Sequence, residues 1–129
     1  MSTPNRAIGA LCLALLPLAA PAADDAMSQL ALKSGCMTCH HVDPGAKGPN
    51  GLPPIGPSWR DVAAKYANVA GAAESLTRTV MSGSSPYASH WKGQVSGLAM
   101  PPNAVAITEP DARRLVGWIL ALDPKVPAK

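Results

Sequence analysis

Two cysteines and a histidine stand together in the run Cys36-Met37-Thr38-Cys39-His40. The C-x-x-C-H spacing is that of a c-type haem attachment site. Two thiols on one helical turn can each add to a vinyl group on the same edge of a porphyrin, and the adjacent His40 then projects under the ring to bind iron through an imidazole nitrogen. Other readings of the pair fare worse. A thioredoxin-like redox couple needs a preceding strand and a βαβ unit, which the pattern lacks. A structural zinc site needs four ligands, and Cys36, Cys39 and one or two histidines make an isolated, poorly spaced set. His41 reads as an exposed side chain, pointing away from the direction that serves His40.

A second axial ligand would close the iron, and methionine is the usual partner of histidine in electron-carrying haems. Met27 falls on the first expected helix, Met37 lies inside the attachment turn, and Met81 sits at a helix end where core packing explains it. Met100 differs. It occupies a loop and precedes Pro101-Pro102-Asn103, whose fixed backbone keeps the sulfur from wandering. Met100 is therefore the expected ligand, and His90, in the same long loop, is the alternative. An open sixth position would instead mark a haem peroxidase or gas-binding protein.

The elements that must position these groups read as short helices joined by long loops. Asp24–Ser34 forms a helix with Met27, Leu30 and Ala31 on one face, and Gly35 stops it directly before Cys36. Ser58 with Asp61 makes a capping box, followed by Val62, Tyr66 and Val69 at helical spacing. Ala72–Met81 places Ala73, Leu76 and Val80 on one face. Thr108 and Asp111 cap a last helix, with Pro110 in its first turn and Ala112, Leu115, Val116 and Ile119 inward; it stops before Pro124. The segments Pro44–Pro57 and Gly83–Ala106 are rich in Gly and Pro and read as loops. No segment alternates with period two and no repeat appears, so the class is all-α.

The 129 residues suffice for one domain. With no Phe at all, side chains alone offer little bulk, and a small core of this kind needs a staple such as a cofactor. Residues 1–23 have the layout of a cleaved signal peptide: Arg6, the apolar run Ala7–Leu18, then Ala20-Pro21-Ala22-Ala23 before Asp24-Asp25. Pro17 and Pro21 interrupt a run already short for a membrane span. Bulky Leu11 beside Cys12 speaks against lipid attachment there. The mature domain, 24–129, then keeps only Cys36 and Cys39, which excludes a disulfide framework. The formal charge of +3 includes Arg6, and two haem propionates offset most of the remainder, so nothing points to nucleic acid.

At these residues the chain resembles the small bacterial class I cytochromes of the c551/c552 type. The resemblance rests on Gly35–His40, on Gly56-Pro57 followed by Asp61–Tyr66, and on Met100-Pro-Pro-Asn103 leading to the helix with Trp118. It implies the class I cytochrome c fold, four to five short helices around one haem held by Cys36 and Cys39 and ligated by His40 and Met100. It further implies that the Pro57 carbonyl meets the proximal imidazole N–H, that Asn103 approaches the ligand sulfur, and that Trp91 reaches a haem propionate. Pro44–Pro54 and Ser85–Leu98 are longer than the family pattern, and Ala31 stands where Phe is common, so Trp118 is expected to pack against smaller neighbours.

The function expected is a periplasmic single-electron carrier, not an enzyme, that cycles between ferric and ferrous iron. It would be a monomer that meets its redox donors and acceptors transiently and has no membrane insertion once the signal is removed. A cytochrome subunit of a larger dehydrogenase or oxidase complex is the alternative.

Overall fold

The structure is a computed structural model that describes residues 20–125. Four α-helices form among the described residues: α1 (Ala20–Lys33), α2 (Trp59–Tyr66), α3 (Ala72–Ser82) and α4 (Glu109–Leu120). Among the described residues no strand forms, and a lone bridge joins Lys92 and Val95. The expected leader, 1–23, lies almost wholly outside the described residues.

α1 ends where Gly35 takes the left-handed conformation, φ 75°, a region that a side chain disfavours. Within the described residues it already includes Ala20–Ala23, ahead of the expected Asp24, and alanine is a strong helix former. The expected cleavage points after Ala22 or Ala23 thus fall within it. At α2, the Ser58 hydroxyl accepts from the Asp61 N–H at 3.1 Å and donates to its carboxylate at 2.6 Å. Thr108 caps α4 in the same way, at 3.3 Å and 3.0 Å from Asp111. Each cap satisfies an amide that has no partner within the helix and is worth about 1 kcal/mol.

α4 packs against α1, α2 and α3 and carries the inward row Ala112, Leu115, Val116 and Ile119. The core joins Ala112, Leu115 and Ile119 of this row to Met27 and Ala31 of α1, Trp59 and Val62 of α2, and Ile107. Ala31 is fully enclosed. The expected small-residue surroundings for Trp118 need correction: its ring meets Trp59 edge-on, centroids 5.6 Å apart at 81°, and its indole N–H donates to Asp24 at 2.7 Å. Trp59 supplies the bulk that the first helix lacks.

Two further expectations need correction. Val69 lies outside α2 and is 51% exposed, because the chain turns after Tyr66 through bonds from Val69 N–H to the Tyr66 carbonyl and from Ala72 N–H to the Val69 carbonyl. On α3, Ala72 and Thr77 are buried and Ala73 is exposed. The Thr77 hydroxyl is satisfied by the Ala73 carbonyl at 2.7 Å, while half-buried Leu76 and Val80 face a cleft.

Candidate haem site

Cys36–Thr38 form one 3-10 turn at the end of α1. Its bonds run from the Cys39 and His40 N–H groups to the Cys36 carbonyl at 3.3 and 3.1 Å. This winds the motif into a single turn, with both thiols free and half-buried. Burial pushes the Cys36 thiol above its ordinary value, and the neighbouring Cys39 adds to this against an opposing backbone hydrogen bond. A redox-active or nucleophilic pair is tuned the other way.

His40 is held on several sides. Its Nδ1 lies 2.8 Å from the Pro57 carbonyl. A carbonyl can only accept, so Nδ1 carries the proton and Nε2 keeps a free lone pair, the form a metal ligand requires. Burial lowers the pKa of His40, the bond to Pro57 opposes this, and His41 contributes a smaller lowering; the ring is thereby kept neutral. Gly56 passes so close that a Cβ there would sit 2.8 Å from Cε1 and 2.9 Å from Nδ1 of the ring. The Gly56 N–H donates to the Cys39 carbonyl at 2.8 Å, and the Trp59 N–H to the His41 carbonyl at 2.9 Å. The Trp59 ring stacks on the imidazole, centroids 6.0 Å apart at 21°.

Met100 is clamped by Ser84. The Met100 N–H donates to the Ser84 hydroxyl at 2.8 Å, and the Ser84 N–H donates to the Met100 carbonyl at 2.9 Å. Gly83, at φ 80°, lets the end of α3 approach, since a Cβ there would lie 2.9 Å from the Met100 carbonyl oxygen. Asn103 donates its side-chain amide to the carbonyls of Pro101 at 2.7 Å and Val80 at 3.3 Å. It thus ties the methionine loop to α3. His90, the alternative ligand, has its Nδ1 2.6 Å from the Tyr66 hydroxyl and is exposed. Trp91 is half-buried, with Lys65 Nζ 5.1 Å from its ring centroid. Its loop is anchored by bonds from Ser96 and Gly97 N–H to the Pro54 and Ile55 carbonyls, at 2.9 and 3.0 Å.

Cys36, Cys39, His40, Pro57, Trp91 and Met100 all line one cleft of about 380 Å³, whose remaining walls include Val62, Leu76, Val80, Leu115 and Ile119. These residues fit a haem: two free thiols, an imidazole with an available lone pair and a thioether open onto one mainly apolar cleft. Among the described residues no buried side-chain nitrogen or oxygen lacks a hydrogen-bond partner. Nor, among the described residues, does any group of three or more His, Cys, Asp or Glu side chains gather.

Sequence reasoning did not single out Trp59, Gly56, Gly83 or Ser84 for these roles. Gly56 stands next to Pro57 in the motif and was visible, but its proximity to an imidazole far back in the chain was not.

A small helical protein with a thiol pair, an imidazole and an apolar cleft of this kind is a haem-c protein. The profile of the Cytochrome c family matches residues 26–123. Cytochrome c-551 of Allochromatium vinosum is 42% identical over 93 residues, 72% of this chain and 82% of that protein. Cytochrome c-552 of Nitrosomonas europaea is 35% identical over 115 residues, 89% and 94% of the two chains. The crystal structure of Nitrosomonas europaea cytochrome c552 superposes with a TM-score of 0.56 at 37% identity, covering 73% of this chain and 96% of that one. The class 1 cytochrome MtoD from Sideroxydans lithotrophicus ES-1 gives 0.52 at 31% identity, covering 78% and 96%.

The chain belongs to the cytochrome c family, as a small class I member of the c-551/c-552 type. It accordingly binds haem c covalently through Cys36 and Cys39 and is an electron-transfer protein, not an enzyme.

Proposed function

We propose that this protein is a periplasmic one-electron shuttle whose iron is ligated by His40 and Met100. The observation that carries the ligand pair is the proton placement on His40: Nδ1 is committed to the Pro57 carbonyl at 2.8 Å, which leaves Nε2 free for a metal, while Met100 lines the same cleft. Haem c bound here supplies a one-electron ferric/ferrous couple. The chain's own residues do the rest. Cys36 and Cys39 tether the group, and Pro57 orients the imidazole. Ser84 grips both backbone groups of Met100 and keeps the thioether in place. The apolar walls exclude water, so the surroundings reorganise little when the charge changes. Trp91, half-buried in the cleft lining, is a candidate propionate contact, and Asn103 supports the Met100 loop.

Export rests on the leader-like residues 1–23. No helix among the described residues is long and apolar enough to cross a membrane. A monomer that docks briefly with redox donors and acceptors is in keeping with this build. A second reading, a subunit resident in a larger dehydrogenase or oxidase complex, draws support from Tyr87 and Leu98, which are 96% and 82% exposed on the long loop. Gel filtration of the native material separates the two. The ferric absorption spectrum tests the ligands: the methionine-to-iron charge-transfer band is expected in the wild type, and its absence overturns the assignment.

A further inference from the structure

The Pro57 carbonyl holds one atom of the His40 ring, and a single hydrogen bond leaves the plane of the imidazole free to tilt about it. Gly56 bounds the ring near Cε1 and Nδ1. What bounds its face is Trp59, stacked at 6.0 Å with the two planes 21° apart.

Trp59 is in turn fixed. It is 3% exposed, its own N–H is bonded to the His41 carbonyl at 2.9 Å, and Trp118 abuts it edge-on at 5.6 Å and 81°. Trp118 is anchored through its indole N–H to Asp24, 2.7 Å away. A continuous series of aromatic contacts therefore runs from a carboxylate on α1, through α4 and α2, to the face of the axial imidazole. Trp59 and His40 both also line the cleft, whereas Trp118 and Asp24 brace them from behind.

We propose that Trp59 is a positioning residue for the axial ligand: its ring face, braced by Trp118, sets the plane of the His40 imidazole. The proposal rests on His40 as ligand, and deepens that reading. With haem bound, the imidazole plane would help determine how the ligand's π electrons meet the iron, so a residue that holds the plane would contribute, together with the Met100 ligand, to the spread of the ferric haem shifts and to the potential. Trp59 exchanges no proton or electron in this role.

The experiment compares Trp59→Phe, which keeps a flat ring, with Trp59→Leu, which has none, both as the haem-loaded full chain. Two properties are read: the order and spread of the haem methyl proton shifts in the ferric protein, and the hydrogen-exchange rate of the His40 Nδ1–H. With Phe the wild-type shift order is retained. With Leu the order changes and exchange accelerates by about ten-fold, the lower end of what loss of such an outer partner costs in ligand binding. Trp118→Leu, which removes the brace but leaves Trp59, shifts the methyl pattern in the same sense by a smaller amount. It also serves as the deciding variant if Trp59→Leu does not load haem.

The positioning role is overturned if Trp59→Leu, or Trp118→Leu in its place, melts at lower temperature but keeps the wild-type shift order and exchange rate, since Trp59 then only fills the core. Absence of iron-bound imidazole signals in the unmutated haem-loaded protein would instead refute His40 ligation, which distinguishes the two failures.

Discussion

Replacing Gly56 with Ala separates two opposite expectations. Gly56 does not use the left-handed region of backbone space, so on conformational grounds alone Ala is acceptable and stabilises by about 0.4–1 kcal/mol through the unfolded chain. The new methyl, however, would sit 2.8 Å from His40 Cε1 and 3.1 Å from the Cys39 carbonyl oxygen. That is about 0.7 Å inside an ordinary carbon–carbon contact. Neither neighbour yields freely, because the Gly56 N–H is bonded to that carbonyl and the ring to Pro57, each at 2.8 Å. Moving the ring by the missing distance stretches its bond to Pro57 to about 3.5 Å, beyond useful range.

Overpacking of this kind costs about 1–3 kcal/mol, so a net loss of about 1–2 kcal/mol is expected, or a fall in Tm of roughly 4–15 °C for a domain of this size. Denaturant unfolding of the ferric holoprotein measures the stability, and the His40 Nδ1–H resonance reports the ring. A Gly56→Ala protein as stable as wild type or more so, with an unshifted Nδ1–H, refutes the tight packing of Gly56 on the His40 ring.

Met100→Ala removes the thioether and leaves the attachment motif intact, so haem should remain covalently bound, the potential should fall and the reduced protein should bind carbon monoxide readily; an unchanged spectrum and potential would move the ligand elsewhere. Cys36→Ala or Cys39→Ala should largely abolish stable holoprotein, and a double variant that still carries covalent haem on a denaturing gel would contradict the attachment. Burial raises the Tyr66 phenol above its ordinary value, so the folded state favours the neutral form; its contribution to stability is complete below about pH 10 and is lost as pH rises toward the folded value. Tyr66→Phe should therefore lose less stability than wild type above about pH 10, and parallel declines of the two proteins would exclude the effect.

The sequence by itself determined what depends on neighbours along the chain. Cys36, Cys39 and His40 are adjacent, so their chemistry is legible without a fold. The Ser58 and Thr108 caps each span three positions, and both helices begin where those caps put them. Gly35 ends α1 because its left-handed backbone is a local requirement. Periodicity failed at Val69 because helical spacing continues on paper past the point where the chain must turn toward α3.

Only the tertiary structure decided which groups surround the two ligand candidates. Trp59 faces His40 across an intervening loop, Ser84 grips Met100 from the end of α3, and Trp118 finds Trp59 across the α2–α4 contact. His90, the alternative ligand by sequence, also lines the cleft and has its Nδ1 paired with Tyr66, a contact that no spacing rule encodes. These pairings arise when the apolar faces of α2, α3 and α4 close on one cleft. Burial of those faces is non-directional and specifies only that they meet, so the identity of each touching pair emerges from packing in three dimensions.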